Sequence, residues 1–342
     1  MFRGITISCL LGLSLCLGVA ARDSVVVINE IHYNPGTAGN ALEYVEVVNL
    51  FAADIDLTRW ALDGAVDFEF PAGTILGGGE TLVVASDPAA LQNATGVTAL
   101  GPWTGSLNNS GETLRLEAEG LGPRVMDEVA YQDGGLWPVG ADGSGVSLAK
   151  RRSNLPGDRA SSWQAGPAVH GSPGAVNPAV PDSGLRLNEV SAGGEESFFV
   201  EVWNAGSVSE PLGGLVLSSS DTGRTNLVFG AGVLESGAYR VVDESELGYV
   251  PAEGERLFLF SAGQAALLDA ARVGSFAKAR MPDGAERFSR PAVPTPGTSN
   301  GVNAPPAMVI NEILYNGYPD PGTDGSPADF RHRSSRRRYR DP

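Results

Sequence analysis

The sequence predicts an all-β fold, with antiparallel sheets packed face to face and the whole unit written twice in tandem. Three observations carry this. Apolar and polar residues alternate over short stretches such as LEYVEVVN (42–49) and TLRLE (113–117), the period of a strand with one buried face. Glycine (45) and proline (23) are abundant, yet no long stretch repeats at helical spacing. The chain also repeats itself: VVINEIHYN (26–34) recurs as LRLNEVSAG (185–193) and again as MVINEILYN (308–316).

Residues 1–21 read as a secretory signal. Met1 to Arg3 gives a short positive start, Gly4 to Gly18 is an unbroken run of apolar and small residues, and Val19-Ala20-Ala21 offers small residues for cleavage. An uncleaved anchor is the alternative, since the run approaches the ~18 residues of a spanning helix. No later segment is apolar enough to cross a membrane. Both cysteines, Cys9 and Cys16, fall inside this segment, so the mature chain is expected to hold no disulfide, no Cys-ligated metal and no thiol nucleophile. Each domain must then be held by its core, which calls for ~100 residues or more. The expected location is secreted or cell envelope.

The elements follow in order. After the first Asn-Glu strand comes YVEVVN (44–49), matched by FVEVWN (199–204). FPAGTILGGGETLVVAS (70–86) parallels FGAGVLESGAYRVVDES (229–245), and SGETLRLE (110–117) parallels EGERLFLF (253–260). Turn residues cluster between these strands: NPGTAGN, LGGGE, LNNSGE, EGLGP and ADGSG. DPAALQNATG and GQAALLDAARVG each predict a turn or two of helix. Both copies close on a Pro-Gly turn, SPGAVN (172–177) and TPGTSN (295–300). The expected organisation is a sandwich over 24–176, a linker over 177–184, a second sandwich over 185–300 and a linker over 301–307. A truncated third copy (308–330) and a basic tail (331–342) follow. The tail, RHRSSRRRYRDP, interrupts a motif rather than a linker, which favours a frameshift over a genuine basic arm.

Taken as an ordered set, the first copy resembles the lamin-tail domain in its bacterial, secreted form. The resemblance rests on Asn29, Glu30, Tyr44, Glu46, Asn49, Trp60, Gly79, Glu80, Gly111, Glu112, Leu114, Asp127, Pro173, Gly174 and Asn177. The second copy is a diverged version, with Leu215 in place of Trp60 and Ala238 in place of Glu80. The resemblance implies an immunoglobulin-like β-sandwich. The family is not known as a catalyst, and its bacterial members are typically exported, often beside hydrolases or spore-coat-kinase-like domains.

Charge is divided along the chain. Residues 22–330 carry 17 basic and 39 acidic side chains, a difference of −22, while the last twelve residues carry six arginines. The acidic body should repel nucleic acid, whose binding needs basic patches. Glu30 and Glu46, with Glu189 and Glu201 in the second copy, are candidates for Ca²⁺ or acid–base work. The competing reading is a structural polar cluster that satisfies backbone donors at the sheet end. His32, His170 and His332 share no metal spacing and read as surface or turn residues. Trp60 and Trp203 read as core, and Trp103 and Trp137, beside prolines in loops, as surface candidates for sugar stacking. No G-x-S-x-G stands between a strand and a helix as a nucleophile elbow requires, since GTSNG (297–301) lies in the closing turn and linker, and there is no phosphate loop and no cofactor fingerprint. NAT (93–95) and NNS (108–110) fit the glycosylation pattern, which short tripeptides do by chance. The expectation is a non-catalytic structural or adhesive module, meeting an unknown protein or glycan at a bacterial cell surface without a cofactor. The alternative is the accessory region of a secreted enzyme (hydrolase, nuclease or spore-coat-kinase-like) whose catalytic domain lies downstream.

Overall fold

A computed structural model describes residues 25–119, 124–180 and 183–301. The secretory segment, the third Asn-Glu copy and the arginine tail lie outside the described residues. Two immunoglobulin-like β-sandwiches make up the described chain.

The first contains β1 (Val26–His32), β2 (Tyr44–Asn49), β3 (Ala61–Gly64), β4 (Val66–Glu69), β5 (Thr81–Ala85), helix α1 (Pro88–Thr95), β6 (Gly111–Ala118), β7 (Arg124–Gln132), β8 (Val146–Lys150) and β9 (Trp163–Val169). One sheet runs β9-β8-β1-β2-β5. The other runs β7-β6-β3-β4, with Thr104–Gly105 at its edge. Between them lie Val26, Ile28, Ile31, Tyr33, Val45 and Val47 from one side and Leu62, Val66, Leu114, Leu116, Val129 and Tyr131 from the other.

Plain alternation from Ile28 would send Glu30 into this core and Ile31 out of it. The structure avoids that with a β-bulge. Ile28 lies opposite Val47 and Glu30 opposite Glu46, leaving Asn29 as the extra residue. The bulge resets the parity, so Ile28 and Ile31 both enter the core and Glu30 joins Glu46 on the outer face. The Ile28 N–H beside the bulge donates to Asp127 Oδ2 (2.9 Å), a carboxylate reaching across from β7 in the opposite sheet. Lys150 on β8 meets the same oxygen at 3.5 Å.

The second sandwich repeats this plan. It contains β10 (Leu185–Val190), β11 (Phe199–Asn204), β12 (Val216–Ser219), β13 (Tyr239–Asp243), α2 (Glu244–Leu247), β14 (Arg256–Phe260), β15 (Leu267–Arg272) and β16 (Lys278–Arg280). Its sheets run β13-β11-β10-β16, with Phe288–Ser289 at the edge, and β12-β14-β15, with Leu227–Val228 beside β12. The register of β10 against β11 shifts between Leu187 and Glu189, so Asn188 is the bulge residue. Leu187 N–H donates to Asp269 Oδ2 (2.9 Å), as Ile28 does to Asp127.

Of the two predicted helical stretches, one forms. α1 is capped by Asp87, which accepts from the Ala89 and Ala90 N–H groups, and it stops at Gly96 in the left-handed conformation. GQAALLDAARVG instead becomes β15, paired along β14 from Arg256–Arg272 to Phe260–Leu267. Pairing with a central strand outweighs the helix preference of Ala and Leu, which is a few tenths of a kcal/mol per residue. The connector also starts later than its composition suggests. Asn177 belongs to the first sandwich, donating to Asn29 O and Lys150 O. Gln164 Nε2 donates to Pro178 O (3.0 Å).

The two sandwiches pack on one another through a shared apolar cluster. Val146 from the first meets Val216, Phe258, Phe260 and Leu267 from the second, with Ala165 and Ala270 against it. Gly140 makes the approach possible, because a Cβ there would lie 2.5 Å from Leu267 Cδ2 and 2.8 Å from Ala165 Cβ. Beside the cluster, Arg256 pairs with Asp133 (3.4 Å) and with Asp142, and Arg272 lies 3.6 Å from Asp133. Phe260→Ala should cost about 3 kcal/mol and uncouple the two units. Scanning calorimetry is expected to show one transition for the parent chain and two for the variant; an unchanged single transition would refute the coupling.

Candidate functional site

The acidic residues singled out in the sequence converge beneath the closing Pro-Gly turns. In the first sandwich, Glu30 and Glu46 are cross-strand neighbours on the outer face of β1 and β2. Both are 0% exposed, because the segment following β9 folds back over them. Glu30 accepts from the Ser172 N–H (2.9 Å), from Ser172 Oγ and from Ser147 Oγ. Glu46 Oε2 accepts from the Gly174 N–H (2.7 Å), and its Oε1 accepts from Asn29 Nδ2 (2.8 Å). Asn177 completes the clasp by donating to Asn29 O (3.1 Å) and Lys150 O (3.0 Å). The return path is tight. Gly171 has φ +75°, and a Cβ there would sit 2.0 Å from Tyr44 Oη, so no side chain fits.

The second sandwich rebuilds this clasp with different residues. Glu189 accepts from the Thr295 N–H (3.0 Å), Glu201 Oε2 from the Gly297 N–H (2.7 Å), and Glu201 Oε1 from Asn188 Nδ2 (3.0 Å). Asn300 Nδ2 reaches Asn188 O (3.4 Å). Asp283 is an addition: it accepts from Asn188 Nδ2, Tyr239 Oη, Ser299 Oγ and the Asn300 N–H, and these donors hold its carboxyl below the ordinary range despite partial burial. Asn49 and Asn204, which end β2 and β11, are matched as well. Each amide spans two loops, Asn49 through Ala53 O and Leu76 O, Asn204 through Val208 O and Leu234 O.

Burial dominates the electrostatics. It raises Glu46 to about 8, with the Glu30 charge adding to the shift and Asn29 opposing it. It raises Glu189 to about 7, and moves Glu30 and Glu201 upward too. Among the described residues no cation faces Glu30 or Glu46; their donors are amides and hydroxyls. The Asn29 amide oxygen is buried without a partner among the described residues. Rotating that amide by half a turn would set the oxygen against Glu46 Oε1, and a protonated Glu46 would supply the hydrogen. The clasp therefore suits neutral or singly charged carboxyls.

The other predicted residues fall elsewhere. Trp103 is 7% exposed and lies in the core, so it offers no stacking face, contrary to the surface reading. Trp137 is half-buried against that core, 6.3 Å from the Trp163 ring. Trp60 is half-buried on the core, and Trp203 is half-buried and stacked on Tyr239. His32 is fully buried rather than at the surface, placed on the outer face by the bulge and set between Leu42 O and Gly145 O. Burial lowers it to about 4, so the ring is neutral and donates to one carbonyl. His170 takes φ +67° in the turn that leads into the first clasp. Among the described residues, no group of three His, Cys, Asp or Glu is placed to share a metal ion. Sequence reading missed the roles of Ser172, Gly174, Thr295 and Gly297. Their repetition as S/T-P-G was visible, but not their use as donors to distant glutamates.

Residues 20–133 match the family model of the Lamin Tail Domain. The lamin tail match takes in Asn29, Glu30, Glu46, Asn49 and Asp127, and ends before β8 and the closing turn. No curated protein and no solved structure matches the chain.

Two outcomes test the clasp. Asn177→Ala should cost about 2 kcal/mol, since it strips the shared donor from two buried carbonyls; denaturant unfolding that shows no loss would contradict the assignment. The raised carboxyls also set a pH dependence. Folding favours their protonated form, so their contribution is whole below the ordinary value of 4.5 and is lost as pH rises through about 7 and about 8. The melting temperature should therefore fall as pH rises from about 4.5 to about 8 and level off above that, and Glu46→Gln should make that fall shallower. A variant with the parent's slope would exclude Glu46 as its source.

Proposed function

We propose that this chain is a non-catalytic structural or interaction module that presents sandwich edges and loops to a partner. One observation supports this reading above the others. The four glutamates best suited to chemistry are each 0% exposed and are engaged in fastening a turn or a bulge. A substrate has no path to them while the fold is closed. The lamin tail match and the sandwich architecture agree with a binding or scaffolding role. The second sandwich is a diverged copy of the first, since bulge, strut and clasp recur at matching positions. The signal-like residues 1–21 direct the module to the outside of a bacterial cell. There its acidic body favours a protein or glycan partner over nucleic acid. No helix among the described residues is long and apolar enough to cross a membrane.

A second reading draws on the sequence alone. The Asn-Glu motif begins a third time at 308, so the module also fits as the accessory part of a longer exported enzyme. Reading the nucleotides beyond the Phe330 codon separates the two: a catalytic motif in a continuing frame supports the accessory role, and further sandwiches support the module. For the chain itself, a panel of chromogenic esters, glycosides and phosphodiesters should give no turnover. Hydrolysis that disappears in a folded Glu30→Gln variant would overturn the non-catalytic reading.

A further inference from the structure

Lys150 and Asp127 face each other inside the first sandwich, one from each sheet. Their side chains are 0% and 5% exposed, the most enclosed ion pair among the described residues. Among the described residues Lys150 Nζ makes one hydrogen bond, to Asp127 Oδ2 at 3.5 Å, and lies 5.5 Å from the centre of the Trp163 ring. That contact is long beside the ~2.8 Å of a good charge-assisted bond, so two desolvated charges are weakly compensated. Burial also pushes the Lys150 ammonium down, toward the neutral amine, against the pull of Asp127. The carboxyl is polarised from both sides: Oδ1 accepts from the Glu128 N–H (2.9 Å) and Oδ2 from the Ile28 N–H (2.9 Å).

We propose that Lys150 and Asp127 condense into an intramolecular isopeptide bond that joins the two sheets of the first sandwich. The ammonium passes a proton to Oδ2, and the freed nitrogen lone pair attacks Asp127 Cγ. Negative charge developing on Oδ1 is met by the Glu128 N–H. The C–Oδ2 bond then breaks as Oδ2 takes a second proton from nitrogen and leaves as water. What remains is a secondary amide whose carbonyl oxygen, Oδ1, keeps the Glu128 N–H, while the Ile28 N–H passes from Oδ2 to the water formed there. Both buried charges are removed, and no oxidant, reductant or cofactor is consumed. After Cys16 the chain has no cysteine, so no disulfide can serve as this crosslink.

The second sandwich supplies an internal control. At the matching corner Arg280 Nη2 lies 3.0 Å from both oxygens of Asp269. A guanidinium stays protonated and is not a nucleophile, so this corner remains an ion pair.

Tryptic mapping of the denatured full-length chain tests the bond. Between Arg124 and Lys150 there is no other Lys or Arg. The expected product is residues 125–151, uncut after Lys150, lighter by one water, with fragmentation placing the loss between Asp127 and Lys150. Release of 125–150 at full mass would overturn the proposal. So would a 125–150 peptide lighter by one water, because cyclisation at Asp133-Gly134 or Asp142-Gly143 removes water yet leaves Lys150 cleavable. Cleavage after Arg280 should proceed normally.

Discussion

Two carboxyl groups buried side by side under a returning turn are what the rest of each sandwich is arranged around. A glutamate pair facing across two central strands is unfavourable unless its oxygens are bonded and its charge is limited. The bulge at Asn29 puts Glu30 opposite Glu46, and the bulge amide then bonds to Glu46. The N–H groups of the closing turn supply what is missing. Removing any one part leaves the others buried without partners, which is why bulge, glutamates and S/T-P-G turn occur together in both sandwiches.

What differs between the sandwiches is as informative as what repeats. The strut from the opposite sheet is an aspartate in both, Asp127 and Asp269, and in both it receives the backbone N–H beside the bulge. Its cation changes from lysine to arginine. Arg280 is further tied to Leu187 O, Ala285 O and Glu286 O, so it is anchored through several donors. Among the described residues Lys150 Nζ has one hydrogen-bond partner and an aromatic face. The acceptor answers a backbone requirement common to both folds, while the donor is free to diverge.

The strand pattern and the repeat were legible in the sequence because alternation and turn residues report local geometry directly. The bulges were not, since one extra residue looks like an ordinary strand until its parity is tested: core residues at 26, 28, 31 and 33 fit no single period. His32 was misread for the same reason, its side being set by Asn29. β15 was misread because Ala and Leu report helix preference while the partner strand β14 decides. Trp103 followed from its loop context, yet its chain segment tucks the indole into the core. The glutamates were recognised as paired, but their donors lie far away in sequence, where spacing carries no signal.

That remoteness has a kinetic side. Glu30 and its donor Ser172 are separated by 142 positions, and Glu189 and Thr295 by 106. β1 and β10 sit in the interior of their sheets, so each gains one neighbour at once, β2 or β11, and waits for the other, β8 or β16, until its sandwich is nearly complete. Contacts so distant along the chain form late and slowly. During synthesis each sandwich therefore passes through a stage in which its central strand carries bare carboxylates. Their charge keeps that half-built sheet hydrated and discourages it from pairing with another nascent chain.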